Sequence, residues 1–141
     1  MVRGRATTGE DERVIVVVTG SRSLTRHPNR LEVKGRFLTT VRFQHPDLVF
    51  HGGASGPDTW AAFAFPDIQK RFDPKPSPAR TPAQRLFDRN IEMIDTAILA
   101  ADLTGGGFHV VACWDGLSKG TRHAMDYAEE MEVPMTRVRF D

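Results

Sequence analysis

One unit recurs in this chain and narrows its possible folds more than anything else: an apolar run, a glycine-bearing turn, then a segment with helical spacing. The run Val14 to Thr19 leads into Thr19-Gly20-Ser21-Arg22. The run Leu48-Val49-Phe50 leads into Gly52-Gly53-Ala54-Ser55-Gly56-Pro57-Asp58, and Val110-Val111-Ala112-Cys113 into Trp114-Asp115-Gly116-Leu117-Ser118-Lys119-Gly120-Thr121. Continuous β-branched runs suit strands covered on both faces of a parallel sheet. Glycine lets a ligand approach the bare backbone, and a helix starting just beyond points unpaired N–H groups and its positive dipole end at the same spot. Three such turns point to one shared anion pocket.

The rest of the chain fits the same alternation. Helical spacing runs from about Asn29 to Gln44, with Val33, Phe37 and Val41 on one face and Asn29-Arg30-Leu31-Glu32 resembling a capping box. Asp47 to His51 reads as a second strand. Ser55 serves as N-cap and Pro57 as first-turn residue of a helix to Phe65. A third strand near Ile68 to Phe72 has the weakest pattern. Pro74, Pro76 and Pro78 give segment 73–79 an extended form that cannot be helical. Thr81-Pro82-Ala83-Gln84 is the best helix start, followed by Phe87, Ile91, Ile94 and Ile98 at helical intervals until Gly105-Gly106-Gly107. A strand His109 to Trp114, a helix Gly120 to Met131 with Met125, Ala128 and Met131 inward, and a strand Val133 to Phe140 complete the order.

That β-α-β alternation implies an α/β fold: a three-layer, Rossmann-like domain with a five-stranded parallel sheet in the order 3-2-1-4-5 and right-handed crossovers. At 141 residues the chain makes one domain, residues 13–141, behind a flexible lead of residues 1–12. In such a sheet ligands bind beyond the carboxyl ends of the strands, where the winding reverses. Residues about a hundred positions apart thereby become neighbours.

Nineteen basic against 18 acidic residues leave a formal net charge of +1. That balance argues against a duplex-binding protein and against single-stranded nucleic-acid binding, since no basic-aromatic surface run is present. Cys113 is the single cysteine, placed in an apolar run as a small hydrophobe. No run is long enough to cross a bilayer and residues 1–13 lack a signal peptide's apolar stretch, so a cytoplasmic location is expected. The five histidines show no metal-ligand spacing, and no metal or cofactor is expected. Neither Gly105-Gly106-Gly107 nor Ser118-Lys119-Gly120-Thr121 has the order of a P-loop.

The candidate ligand-binding residues are those of the three turns: Gly20, Ser21 and Arg22; Gly52, Gly53, Ala54, Ser55, Gly56 and Asp58; Trp114, Asp115, Ser118, Gly120 and Thr121. Arg22, Arg89 and Arg122 could fork onto a phosphate, the alternative for each being a surface ion pair. Asn90 reads first as a tie to a loop backbone and second as a ligand contact. Asp58 reads as a helix cap or an acceptor for ribose hydroxyls, and the serines as caps that can also donate to phosphate. Trp114 stacks a base or packs in the core. Asp58, Asp115 and His123 are the acid/base groups near the turns, and His51 flanks one of them.

The motifs also resemble a known family. Gly20-Ser21-Arg22, Gly52 to Asp58, Arg89-Asn90-Ile91-Glu92-Met93 and Ser118-Lys119-Gly120-Thr121 occur in the order seen in the SLOG superfamily. That superfamily includes the Lonely-guy phosphoribohydrolases and the DNA-uptake processing protein DprA, and the likeness is greater to its YspA-like branch. The resemblance spans roughly residues 14–138 and implies a Rossmann-like domain that binds nucleotides or nucleotide-derived molecules. It also implies pairing into a homodimer or higher homo-oligomer. Thr121-Arg122-His123-Ala124 puts alanine where the phosphoribohydrolases carry their acid/base glutamate, so their hydrolytic activity does not carry over. The expected function is binding of a nucleotide or an ADP-ribose-like ligand, as sensor or sequestering protein. The alternatives are a nucleotide-processing hydrolase of the N-glycosidic type and a single-stranded DNA-binding protein.

Overall fold

The strands β1 (Ile15–Gly20), β2 (Leu48–His51), β3 (Gln69–Arg71), β4 (Phe108–Cys113) and β5 (Met135–Arg137) form one sheet. The computed structural model describes residues 13–139; the proposed lead 1–12 and Phe140 lie outside them. The sheet order is β3-β2-β1-β4-β5, with every neighbouring pair parallel. The expected doubly wound α/β architecture is therefore the observed one. β1 is central, pairing Ile15 with Leu48 on one side and Ile15 through Gly20 with Phe108 through Cys113 on the other.

The helices are α1 (Arg30–Phe43), α2 (Pro57–Ala64), α3 (Pro82–Thr104) and α4 (Lys119–Glu130), with a short 3₁₀ turn at Arg22–Arg26. Side chains alternate across a strand, so β1 feeds two cores. Val16 and Val18 meet Val33, Phe37 and Val41 of α1 and Ala61 of α2. Ile15 and Val17 meet Met93, Ile94 and Ala97 of α3 and Ala128 of α4. Buried outright on both faces, these β-branched residues each contribute about 1.5–3 kcal/mol. Cys113 is buried at the end of β4, and burial pushes its thiol up to about 12.

Local signals explain most helix starts. Thr81 Oγ1 accepts from Gln84 N at 3.1 Å while Gln84 Oε1 accepts from Thr81 N at 2.9 Å, the reciprocal cap expected of that sequence. The box proposed at Asn29 does not form. Its backbone (φ −102°, ψ 30°) is not the extended one a cap needs, its N–H donates to His27 Nδ1, and Glu32 is engaged by Arg36 at 2.7 Å. Met131 is not inward. It follows the last turn of α4 and is 43% exposed, and Val133 closes that end by donating to Ala128 O. That bond also keeps Val133 out of β5, which is shorter than the sequence pattern suggested.

Candidate functional site

The first and third turns are bolted together. Gly20 sits against the ring of Pro57, so closely that a Cβ would overlap the ring. Just beyond, Ser21 N donates to Cys113 O at 3.0 Å, and the buried Ser21 hydroxyl accepts from Asp115 N at 3.0 Å. Asp115 Oδ2 accepts from Ser23 Oγ at 2.5 Å, and its Oδ1 accepts from Leu117 N and Ser118 N, both at 2.8 Å. Burial pushes this carboxyl up, but the bonds from Ser23, Ser118, Leu117 and Ser21 outweigh it and hold Asp115 down to about 2. A carboxylate so fully engaged is a brace, which removes Asp115 as an acid/base group. Trp114 is a brace as well, its Nε1 donating to Ser118 O at 2.9 Å. Ser21, Trp114 and Asp115 thus shape the start of α4 without lining the hollow that lies between the turns.

The second turn departs from expectation more sharply. Gly52 N and Ala54 N donate to Asp58 Oδ2 at 2.9 and 3.2 Å, Gly53 N donates to His51 Nδ1 at 3.0 Å, and Gly56 N donates to Thr59 Oγ1 at 3.2 Å. The amides of Gly53, Ala54 and Gly56, expected to meet phosphate, are taken by the protein itself, and so is that of Gly52. The first turn of α2 starts at Gly56, not at Ser55, which is exposed and caps nothing. Gly56 holds φ 100° and ψ −135°, a conformation open essentially to glycine alone. His51 is buried, with its Nδ1 3.0 Å from the Gly53 amide that donates to it and its Nε2 2.6 Å from Gln69 Oε1. It is a structural histidine.

Between these turns lies a hollow of about 450 Å³ at the carboxyl ends of β1 and β2. Thr19 and Gly20 border it from β1, Gly52 to Ala54 from the second turn, and Ser118 to Thr121 from the start of α4. Four cationic side chains line it, Arg22, Arg71, Arg89 and Lys119, against the single carboxylate of Asp58. Lys119 and Gly120 open α4, where a helix leaves N–H groups without intrahelical acceptors. Ser118 caps that turn by accepting from Thr121 N at 3.5 Å. Of the residues lining the hollow, Gly52, Gly53 and Ala54 have their amides engaged within the protein, whereas Lys119 and Gly120 stand in the first turn of α4.

Arg89 and Asn90 belong half to the scaffold. Arg89 Nη1 donates to Gly52 O (2.9 Å) and Phe72 O (3.2 Å), and its Nε donates to Asn90 Oδ1 (3.1 Å). Among the described residues Nη2 has no such partner. Burial lowers the pKa of Arg89, and Asp58 opposes that shift. Asn90 Nδ2 donates to Gly120 O at 3.2 Å, which ties α3 to the first turn of α4. The sequence favoured a tie to a loop backbone; the carbonyl held belongs to a helix instead, and Asn90 also lines the hollow. Arg122 lies outside the hollow, 3.6 Å from Asp126 on the surface of α4. His123 stacks on Phe87 with ring centroids 4.2 Å apart and an interplanar angle of 9°. Burial lowers its pKa, opposed by Asp126 and Asp88, and the ring does not line the hollow.

Asp58 is the unusual group. It is 5% exposed, its Oδ2 is satisfied by two amides, and its Oδ1 is buried with no hydrogen-bond partner among the described residues. Burial raises its pKa above 3.8, against the pull of the Ala54 and Gly52 amides, His51 and Arg89. A raised carboxyl favours the folded state while protonated. The cost of ionising it within the fold therefore grows as pH rises from 3.8 through the folded value. Relative to Asp58→Asn, the native protein should lose stability with rising pH across that window. Urea titrations of both proteins at a series of pH values check it, and a constant difference counts against the raised carboxyl.

Sequence reasoning did not count Thr19, Arg71, Pro74, Leu86 and Lys119 among the site residues, and all five line the hollow. Arg71 ends β3, so the rule that ligands sit at carboxyl strand ends would have found it had β3 been firmer. Among the described residues no cluster of His, Cys, Asp or Glu could hold a metal, and no helix is long and apolar enough to cross a membrane. No family model, curated protein or solved structure matches the chain.

Proposed function

We propose that the protein binds a nucleotide or nucleotide-derived anion, of ADP-ribose type, as a sensor or sequestering protein. One observation carries this reading: Asp58, a buried aspartate with one carboxylate oxygen unpartnered among the described residues, is the single acidic residue in the lining of a hollow that also presents four cations. A phosphate alone would satisfy the cations and be repelled by Asp58. A ligand with both phosphate and sugar hydroxyls satisfies both, the hydroxyl donating to Asp58 Oδ1 and the phosphate meeting Arg22, Lys119 and the first amides of α4. The volume lies in the range of about 300–1,000 Å³ usual for small-molecule sites. The motif resemblance to the SLOG superfamily supports the same ligand class.

Arg22 is exposed at the rim, and its side chain makes no hydrogen bond or ion pair among the described residues, so its guanidinium is available to a phosphate. Arg22→Ala should leave the fold intact and weaken binding at least about tenfold, the loss of one charge-assisted contact of roughly 1.5–3 kcal/mol. Calorimetric titration of ADP-ribose, cyclic nucleotides and mononucleotides into both proteins tests it. Heats no larger than dilution for all of them, or equal affinities in the two proteins, would remove the reading.

A further inference from the structure

A second hollow of about 240 Å³ opens beside the first, between α3 and the proline-rich segment 73–79. Its lining is Lys75 and Ser77 from that segment and Arg85, Asp88, Arg89 and Glu92 from α3. The four α3 positions follow helical spacing, so one face of the helix carries a charged stripe. An apolar stripe would be expected beneath a covering segment. Here the segment is held by polar clasps instead. Lys75 Nζ lies 2.9 Å from Glu92, Arg85 donates twice to Ser77 O (3.1 and 2.7 Å), and Arg80 grips Asp88 with two bonds (2.9 and 2.8 Å).

Arg89 lines both hollows. It is the common wall, and its Nη2 is the donor its scaffold bonds leave over. The two hollows differ in chemistry. The first sets four cations against one carboxylate, which suits phosphate. The second mixes cations with the carboxylates of Asp88 and Glu92, so a phosphate there would meet like charge. Sugar hydroxyls suit it better, because each can donate to a carboxylate and accept from an ammonium or guanidinium.

We infer, on the basis of the nucleotide reading above, that the ligand is a nucleoside diphosphate carrying a second sugar, with its phosphates in the first hollow, Arg89 at the junction and the terminal sugar in the second hollow against Glu92 and Lys75. The proline-rich segment thereby becomes a wall of the site. Pro74 lines the first hollow, and Lys75 and Ser77 line the second.

The test compares ligands with and without the second sugar: ADP against ADP-ribose, and UDP against UDP-glucose in parallel because the base is unspecified. In the native protein at least one sugar conjugate should bind about tenfold more tightly than its parent diphosphate, the gain from one or two added hydrogen bonds to charged groups. Glu92→Ala should abolish that margin and leave the diphosphate affinity unchanged. The Glu92 side chain is 38% exposed, so the fold survives the substitution, and an unchanged melting temperature verifies that. Equal affinity for conjugate and parent in the native protein, or equal weakening of both by Glu92→Ala, overturns the two-part ligand while nucleotide binding stands. Absence of binding by all four ligands overturns both.

Discussion

A Phe37→Ala protein should lose about 3–5 kcal/mol of unfolding free energy, measured by urea or guanidinium titration. Phe37 has no solvent exposure and sits at the centre of the core between α1 and the sheet. Its ring meets Trp60 edge-on, with centroids 6.2 Å apart at 63°. Truncation removes that contact and leaves a cavity walled by Val16, Val33 and Val41, whose positions are fixed by strand and helix backbone. Native domains hold only about 5–15 kcal/mol in all, so the variant should melt far below the native protein. The loss concerns packing on the α1 face alone. What remains folded should bind ligand with native affinity, because Phe37 does not touch the hollow. A loss under about 1 kcal/mol would mean that the α1 face is not packed as described.

Gly20→Ala should damage both stability and binding. The added Cβ would overlap the Pro57 ring, which is anchored in the backbone at the first turn of α2 and cannot swing aside. Relief requires α2 to retreat from the end of β1, an overpacking cost of about 1–3 kcal/mol. That retreat carries Asp58, one residue along, away from Gly52 N and Ala54 N and distorts the hollow on that side. Nucleotide affinity should fall by more than about tenfold in protein that is still folded. Circular dichroism and calorimetry on the same sample separate the two effects. A folded Gly20→Ala protein with native affinity would show that the Gly20–Pro57 contact has no part in setting the site.

The two variants also show how much the sequence discloses. Buried strands such as Val14 to Thr19 announce themselves by unbroken β-branching, and the helix at Thr81 by its own cap, because those signals are local. Parallel pairing follows from the alternation, whereas the order of the strands does not, since doubly wound sheets with the same alternation take more than one order. The site was legible as a place, with Gly20, Arg22, Gly52, Asp58, Arg89 and Thr121 all bordering one hollow. Its wiring was not. Nothing in Gly52-Gly53-Ala54-Ser55-Gly56 says that Asp58 will fold back to occupy the amides of Gly52 and Ala54, since a side chain competes there on equal terms with an outside anion. Arg89 looked like a phosphate ligand, yet it spends two of its nitrogens on Gly52, Phe72 and Asn90, three partners distant in the chain or on its own helix. β3 was faint because Gln69, Lys70 and Arg71 are all exposed on an edge strand, which erases the burial pattern a strand is recognised by. With β3 faint, Arg71 and Pro74 stayed hidden.

The lone thiol at the end of β4 has a practical corollary. Sealed in the core and lacking thiolate character, Cys113 offers a maleimide or a mild oxidant nothing to attack while the chain is folded. The native protein is therefore already a blank for site-specific labelling. A cysteine introduced at exposed Ser55, on the loop beside the hollow, would be the sole reactive sulfur and could carry a fluorophore that reports occupancy.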